Sequence, residues 1–257
     1  MTFVDDNTIQ RIIALNREFY QTFSGSFSAT RAHVQAGVRQ AAKRFPHAGN
    51  ILDLGCGNGN LMQILSKNEF KGMYAGMDFS EKLIEESQHT YQNLGSQRTF
   101  QAVFFVFDLA LSNWREFPLK VDWDVICAFA VFHHIPGKEK RREIFNQIHS
   151  ILKPGSGFVF SVWQPQNSQR LVKRFLTWEQ VGLLESDVEE GDTLLDWKAE
   201  QSGTNRIGFR YVHIFQQDEL TELAGQTGFS IKASFYSDGK EGNIGLYQVW
   251  EKTSGNK

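Results

Sequence analysis

Ile51-Leu52-Asp53-Leu54-Gly55-Cys56-Gly57-Asn58-Gly59-Asn60 is the stretch that decides the fold. It reads as a buried strand that stops in a turn of three alternating glycines, with a helix from about Leu61. Glycine has no Cβ and tolerates positive φ, so backbone at such a turn can approach a ligand closely. The helix N-terminus behind the turn favours polar or anionic groups. Asp53, two residues before the first glycine, adds an acceptor at the mouth of the strand. A dinucleotide-binding turn would space its glycines as G-x-G-x-x-G, whereas Gly55, Gly57 and Gly59 alternate.

The chain on either side repeats the strand–helix pattern. Residues 73–77 read as a second strand ending at Asp78. Ser80 then caps a helix through Leu94, with Glu81, Glu85 and Glu86 biased toward its start. Residues 100–107 form a third strand ending at Asp108. A fourth, 125–131, follows Asp122 and Asp124, which read as turn residues. A charged helix over 138–152 stops at Lys153-Pro154-Gly155, and 158–163 is the fifth strand. Strands alternating with helices at this spacing argue for an α/β fold with a parallel, doubly wound sheet. Ligands of such sheets sit at the carboxyl ends of the strands. Asp53, Asp78, Asp108 and His133-His134 all fall at or beyond such ends.

Residues 1–45 read as a helical cap with a break near 22–28, and 46–163 as the ligand-binding core. The stretch 164–208 is polar and without clear periodicity, so an insertion over 164–215 is expected to be a lid or substrate loop. Within 216–257 a helix over 218–227 leads to strands 230–236 and 243–251. Their short connection predicts a C-terminal antiparallel hairpin at the sheet edge. The whole, 1–257, reads as one domain.

A chain of 257 residues with 22 phenylalanines has material for a sizeable core. Its net charge of −2 excludes a polycation, so any nucleic-acid binding must use a local patch or a partner. Cys56 and Cys127 read as small reduced residues, with no disulfide framework and no metal site. No run approaches the ~18 apolar residues of a membrane span, and no charged-then-apolar leader opens the chain. A cytoplasmic protein with no membrane partner is the expectation.

The string from Asp53 to Gly59 resembles motif I of the class I S-adenosylmethionine-dependent methyltransferases. That resemblance implies a seven-stranded, mostly parallel, Rossmann-like sheet, with S-adenosyl-L-methionine as cofactor. It implies that Gly55 and Gly57 pass under the methionine and ribose, and that Asp53 holds the methionine amino group through water. Asp78 would take the ribose hydroxyls, with Phe79 beside it, and Asp108 with the backbone of Leu109 would face the adenine edge. The chain at Phe129-Ala130 would offer a carbonyl to the methionine end. Arg31 would bind the cofactor's carboxylate.

A narrower resemblance runs from about Tyr20 to the last strand. Its segments are Phe27-Ser28-Ala29-Thr30-Arg31, Phe132-His133-His134-Ile135, Arg141-Arg142, Leu152-Lys153-Pro154-Gly155, Val162-Trp163, Trp197-Lys198, Arg210-Tyr211-Val212-His213-Ile214-Phe215 and Asp218-Glu219-Leu220. In this order they are similar to the methyltransferases that esterify 5-carboxymethyluridine at the tRNA wobble position, among them the domain fused to an AlkB-type hydroxylase in animals. A carboxylate is already a nucleophile and needs alignment and desolvation, not a general base. Arg31, Arg210 and His213 are therefore the candidate positioning groups, with His133 or His134 near the methyl group. Trp163, Trp197 or Tyr211 would stack a base. Bland readings stand beside these: His213 as a core histidine, one of His133-His134 as structural, and Lys138, Lys140, Arg141 and Arg142 as a solvated helix face. The low net charge and the Gln- and acid-rich stretch 164–190 favour the alternative of a small-molecule acceptor. The tRNA enzymes of eukaryotes work with a small zinc-binding subunit, so the resemblance also implies a possible activator partner.

Overall fold

A computed structural model describes residues 4–29, 34–112, 117–201 and 204–253, without the side chains of 24–29, 198–201 and 204–206. Arg31 lies outside the described residues, as do the side chains of Phe27, Ser28 and Ala29.

Seven strands make the main sheet: β1 (Ala48–Leu54), β2 (Lys71–Asp78), β3 (Gln101–Val106), β4 (Trp123–Phe129), β5 (Leu152–Trp163), β9 (Phe229–Ser237) and β10 (Gly245–Lys252). Their order is β3-β2-β1-β4-β5-β10-β9, parallel except where β10 pairs antiparallel with β5 and β9. The expected doubly wound sheet with a C-terminal antiparallel hairpin is the architecture observed. Helices α2 (Ala36–Ala42), α3 (Leu61–Lys67), α4 (Glu81–Asn93), α5 (Lys138–Ile151) and α7 (Gln217–Gln226) accompany it. Strands buried on both faces read as continuous apolar runs. Leu52, Leu54, Ala75, Ile126 and Phe158 pack into one cluster, while Ile51, Tyr74, Val125 and Val159 pack into another. Ser80 caps α4 as expected, its side chain accepting from the Leu83 N–H.

Three expectations are corrected. The first helix, α1 (Asp6–Ala29), runs without a break through 22–28. Ser24-Gly25-Ser26 is a weak helix-forming run. Just before it, Phe19, Tyr20 and Phe23 bury themselves together, and packing overrides propensity. Second, the strand after α5 starts at Leu152 and not at 158: α5 ends before Pro154 as expected but passes directly into β5. Leu152 pairs with Trp123 and Gly157 with Val125, so residues 153–156 form a bulge that removes Pro154 from the ladder.

Third, the polar insertion is not a structureless loop. After a short helix α6 (Gln169–Val172) it forms a second sheet of β6 (Phe175–Leu176), β7 (Asp192–Gln201) and β8 (Thr204–His213). The last two make a ten-rung antiparallel hairpin, Asp192 opposite His213 and Gln201 opposite Thr204. Arg210, Tyr211, Val212 and His213 are all buried, so the end of β8 shows no polar–apolar alternation to read. Among the described residues no helix is long and apolar enough to cross a membrane.

Candidate active site

The glycine turn leaves β1 with Gly55 at φ +67° and Gly57 at φ +56°, a region that favours glycine. A Cβ on Gly55 would lie 2.5 Å from Val131 Cγ2. A Cβ on Gly57 would meet nothing within 4 Å, because that face of the turn opens on a cavity. Gly55, Gly57, Asp78, Phe79, Asp108, Leu109, Phe129, Ala130 and His134 all line this one cavity. Nine residues expected from separate strand ends are thus brought together.

Asp78, Asp108 and Ala130 are held by local bonding. Asp78 Oδ2 accepts from the Gly57 N–H at 3.1 Å and Oδ1 from the Ser80 N–H at 3.0 Å, tying the end of β2 to the turn. Asp108 Oδ1 accepts from the Ala110 N–H at 2.9 Å, an Asx turn. Ala130 sits at φ +59°, a strained conformation for a residue with a Cβ. Its N–H donates to Ser161 Oγ at 3.0 Å, which holds the peptide turned.

Asp53 lies behind the cavity wall, not on it. It is buried, accepting from Tyr74 Oη at 2.7 Å and from Cys127 Sγ at 3.5 Å. Burial pushes its pKa up to about 7, against the lowering effect of those two donors.

The remaining wall was not anticipated. Ile13, Asn16, Arg17 and Tyr20, spaced i, i+3, i+4 and i+7 on α1, line the same cavity. Arg17 Nη1 lies 3.5 Å from Asp108 Oδ2. The apolar spacing at the start of this helix was visible in the sequence; that the same face continues with polar residues was the unused signal.

The histidines separate. His133 is buried, and its Nδ1 accepts from the Trp163 N–H at 3.1 Å, fixing the end of β5. His134 Nδ1 lies 3.1 Å from the Tyr211 carbonyl and Nε2 2.6 Å from Tyr20 Oη. A carbonyl only accepts, so Nδ1 carries the proton, and in the neutral ring Nε2 accepts from the Tyr20 hydroxyl.

Arg210 is buried on β8 among aromatic rings. Its guanidinium carbon stands 4.4 Å from the Trp163 ring centre, 5.5 Å from Phe19 and 5.8 Å from Trp197. This box presents a planar cation beside planar faces.

His213 belongs elsewhere. It does not line the cavity; its Nδ1 is 2.7 Å from Asp192 Oδ1 and its Nε2 3.0 Å from Glu219 Oε2. Arg141, buried and not solvated as the charged run suggested, bridges Glu189 at 2.8 Å and Glu219 at 3.2 Å. Tyr211 Oη donates to Asp192 at 2.8 Å. Burial and the Arg141 charge oppose protonation of His213, but the carboxylates on both ring nitrogens outweigh them and hold its pKa above the ordinary value. The donor atoms of Glu189, Asp192 and His213 lie within 4.8 Å of one another. Arg141 and Tyr211 already engage these carboxylates, so the geometry is that of an ion-pair network. The other cations of the basic run also face acids: Lys138 with Glu222, Lys140 with Glu143 and Arg142 with Glu139.

Comparison with known proteins matches residues 28–234 to the family model described as "Methyltransferase domain". The tRNA (carboxymethyluridine(34)-5-O)-methyltransferase ALKBH8 of Macaca fascicularis is 28% identical over 157 residues, 60% of this chain and 21% of that protein. The chain thus spans about a fifth of that relative's length. A malonyl-[acyl-carrier protein] O-methyltransferase of Halalkalibacterium halodurans is 29% identical over 188 residues, 71% of this chain and 65% of that one. Among solved structures, a SAM-dependent methyltransferase from Methanosarcina mazei superposes with a TM-score of 0.62 at 21% identity, over 82% of this chain and 95% of that one.

Proposed function

The chain belongs to the methyltransferase-domain family, and from that premise we propose that it uses S-adenosylmethionine to methylate a carboxylate, forming a methyl ester on a modified wobble uridine of tRNA. The observation that carries the reading is the Arg210 box: a buried guanidinium stacked on Trp163, next in sequence to the Tyr211 carbonyl that touches His134 of the cofactor cavity.

The residues present fit the cofactor. The space a Cβ would fill at Gly57 is open, and the walls offer carboxylates to hydroxyls and an adenine edge. In this reading Asp78 accepts from the ribose hydroxyls, Asp108 and Leu109 face the adenine, and Phe79 packs beside it. Gly55, Gly57 and the turned Ala130 peptide meet the methionine end. Asp53 acts through water on the amino group, and Arg31 is the proposed partner of its carboxylate. When bound, the cofactor supplies an electrophilic methyl on a positively charged sulfur.

The chain's own work is then positioning. Arg210 grips the acceptor carboxylate through parallel hydrogen bonds while Trp163 and Trp197 flank the ring that bears it. His133 steadies Trp163 through its backbone, and His134, on the cofactor cavity, joins it to β8 through the Tyr211 carbonyl. His213 supports β8 through Asp192 and does not meet the substrate. Both named relatives act on groups that carry a carboxyl, carboxymethyl in one and malonyl in the other, which supports the ester chemistry. The paired basic run on α5 favours the alternative, a small-molecule acceptor, since it offers little free charge to phosphates.

Labelled cofactor tests the reading, with tRNA bearing carboxymethyluridine in one arm and a malonyl thioester in the other. A cell lysate added to each arm supplies any activator subunit. Alkali-labile label in the tRNA is the expected result. Label only in the thioester favours the small-molecule alternative, and no label in either arm overturns the carboxylate assignment.

A further inference from the structure

β8 is the outer strand of its sheet, so one row of its backbone groups has no strand to pair with. At Tyr211 that row is satisfied from outside the sheet. The Tyr211 N–H donates to Asn16 Oδ1 at 2.9 Å, and the Tyr211 carbonyl accepts from Asn16 Nδ2 at 3.3 Å and from His134 Nδ1 at 3.1 Å. Asn16 Nδ2 also reaches the His134 carbonyl at 3.3 Å. One buried side-chain amide therefore imitates a neighbouring strand. It does so from a helix face whose other members, Ile13, Arg17 and Tyr20, line the cofactor cavity. Tyr20 adds the second link through His134 Nε2.

We propose that Asn16, with the Tyr20–His134 pair, is a latch through which occupation of the cofactor cavity sets β8, and with it Arg210, in place. A cofactor that buries the Ile13–Tyr20 face of α1 favours the docked helix, and docking supplies the bonds that hold Tyr211. The two events share one helix position, so each stabilises the other. Asn16 is a positioning residue: it acts on Arg210 through the backbone of β8. The inference rests on the proposed function only in treating β8 as the acceptor-bearing strand.

Hydrogen exchange of the whole chain, with and without S-adenosylhomocysteine, tests the latch without any acceptor, so its result is independent of the carboxylate assignment. In the parent protein the ligand is expected to slow exchange of the amides of residues 209–213 about tenfold or more. In Asn16→Leu, which keeps the branched outline of the side chain without its bonds, the ligand is expected to bind more weakly and, at saturating concentration, to slow those amides less than twofold. Asn16→Asp keeps the acceptor for the Tyr211 N–H and should fall between; it replaces the leucine variant if that one fails to fold. Equal protection in parent and variants overturns the latch, and so does a parent whose β8 amides ignore the ligand.

Discussion

Two regions of this molecule bury carboxylates, and they handle the cost in opposite ways. Around Arg141 three acids, Glu189, Asp192 and Glu219, meet two cationic groups, and their side chains close on one another. Beneath the glycine turn Asp53 meets only neutral donors among the described residues, and burial leaves it poised near neutrality. A charge compensated inside the chain is structural. Under the proposed function, a carboxyl that meets no cation among the described residues, behind a cavity with an open glycine face, suits a positive ligand. The cofactor's ammonium and sulfonium are such charges.

The largest expected effect breaks the compensated region. Arg141→Ala strands Glu189 and Glu219 without their cation and should cost about 3–5 kcal/mol of stability. Denaturant unfolding reads this directly, and a loss under about 1 kcal/mol would mean the network behaves as a solvated one.

Asp53→Asn probes the uncompensated region. The folded pKa of Asp53, about 7, stands above its ordinary 3.8, so the unfolded chain ionises first as pH rises. Asp53 therefore withdraws stability between about pH 4 and 7, on the order of 4 kcal/mol. Asp53→Asn should flatten that slope in unfolding measured from pH 4 to 8. At pH 6, cofactor binding should release protons as the ammonium lowers the Asp53 pKa. Calorimetry in buffers of different ionisation enthalpy would detect this release in the parent and not in Asp53→Asn.

The smallest effect is at His213. Its folded pKa is raised, so its stabilisation is complete below its ordinary pKa and is lost as pH rises through the folded value. Exchange of the β7–β8 amides, corrected for intrinsic rate, should quicken above that pH. His213→Gln should show no such step.

The same contrast explains what could be read from sequence. The glycine turn and the strand-end acids are local features, set by strand length and turn chemistry. Asp78 and Asp108 were therefore legible before any tertiary contact was known, whereas Ala130 came only from the family resemblance. The insertion was not. In β8, Arg210, His213 and Tyr211 are interior residues because partners from α1, α5 and α7 complete them, and no periodicity within 204–213 reveals a partner so far away in the chain. Asn16 was invisible for the same reason: an asparagine in a helix gives no sign that it pairs with the edge of a strand 195 residues on. Arg141 looked solvated because Glu139 and Glu143 stand beside it in sequence, while its real partners come from Glu189 and Glu219.

In the proposed site the side chains that hold the cofactor are not those that hold the acceptor, even though α1 couples the two ends, and one titration tests that division. S-adenosylmethionine affinity is measured by calorimetry for the parent, Asp78→Ala and Arg210→Ala. Asp78→Ala removes charge-assisted hydrogen bonds of about 1.5–3 kcal/mol each and should weaken binding about a hundredfold or more. Arg210→Ala should bind the cofactor within about twofold of the parent while methyl transfer falls. Equal loss of cofactor affinity in both variants would contradict the division.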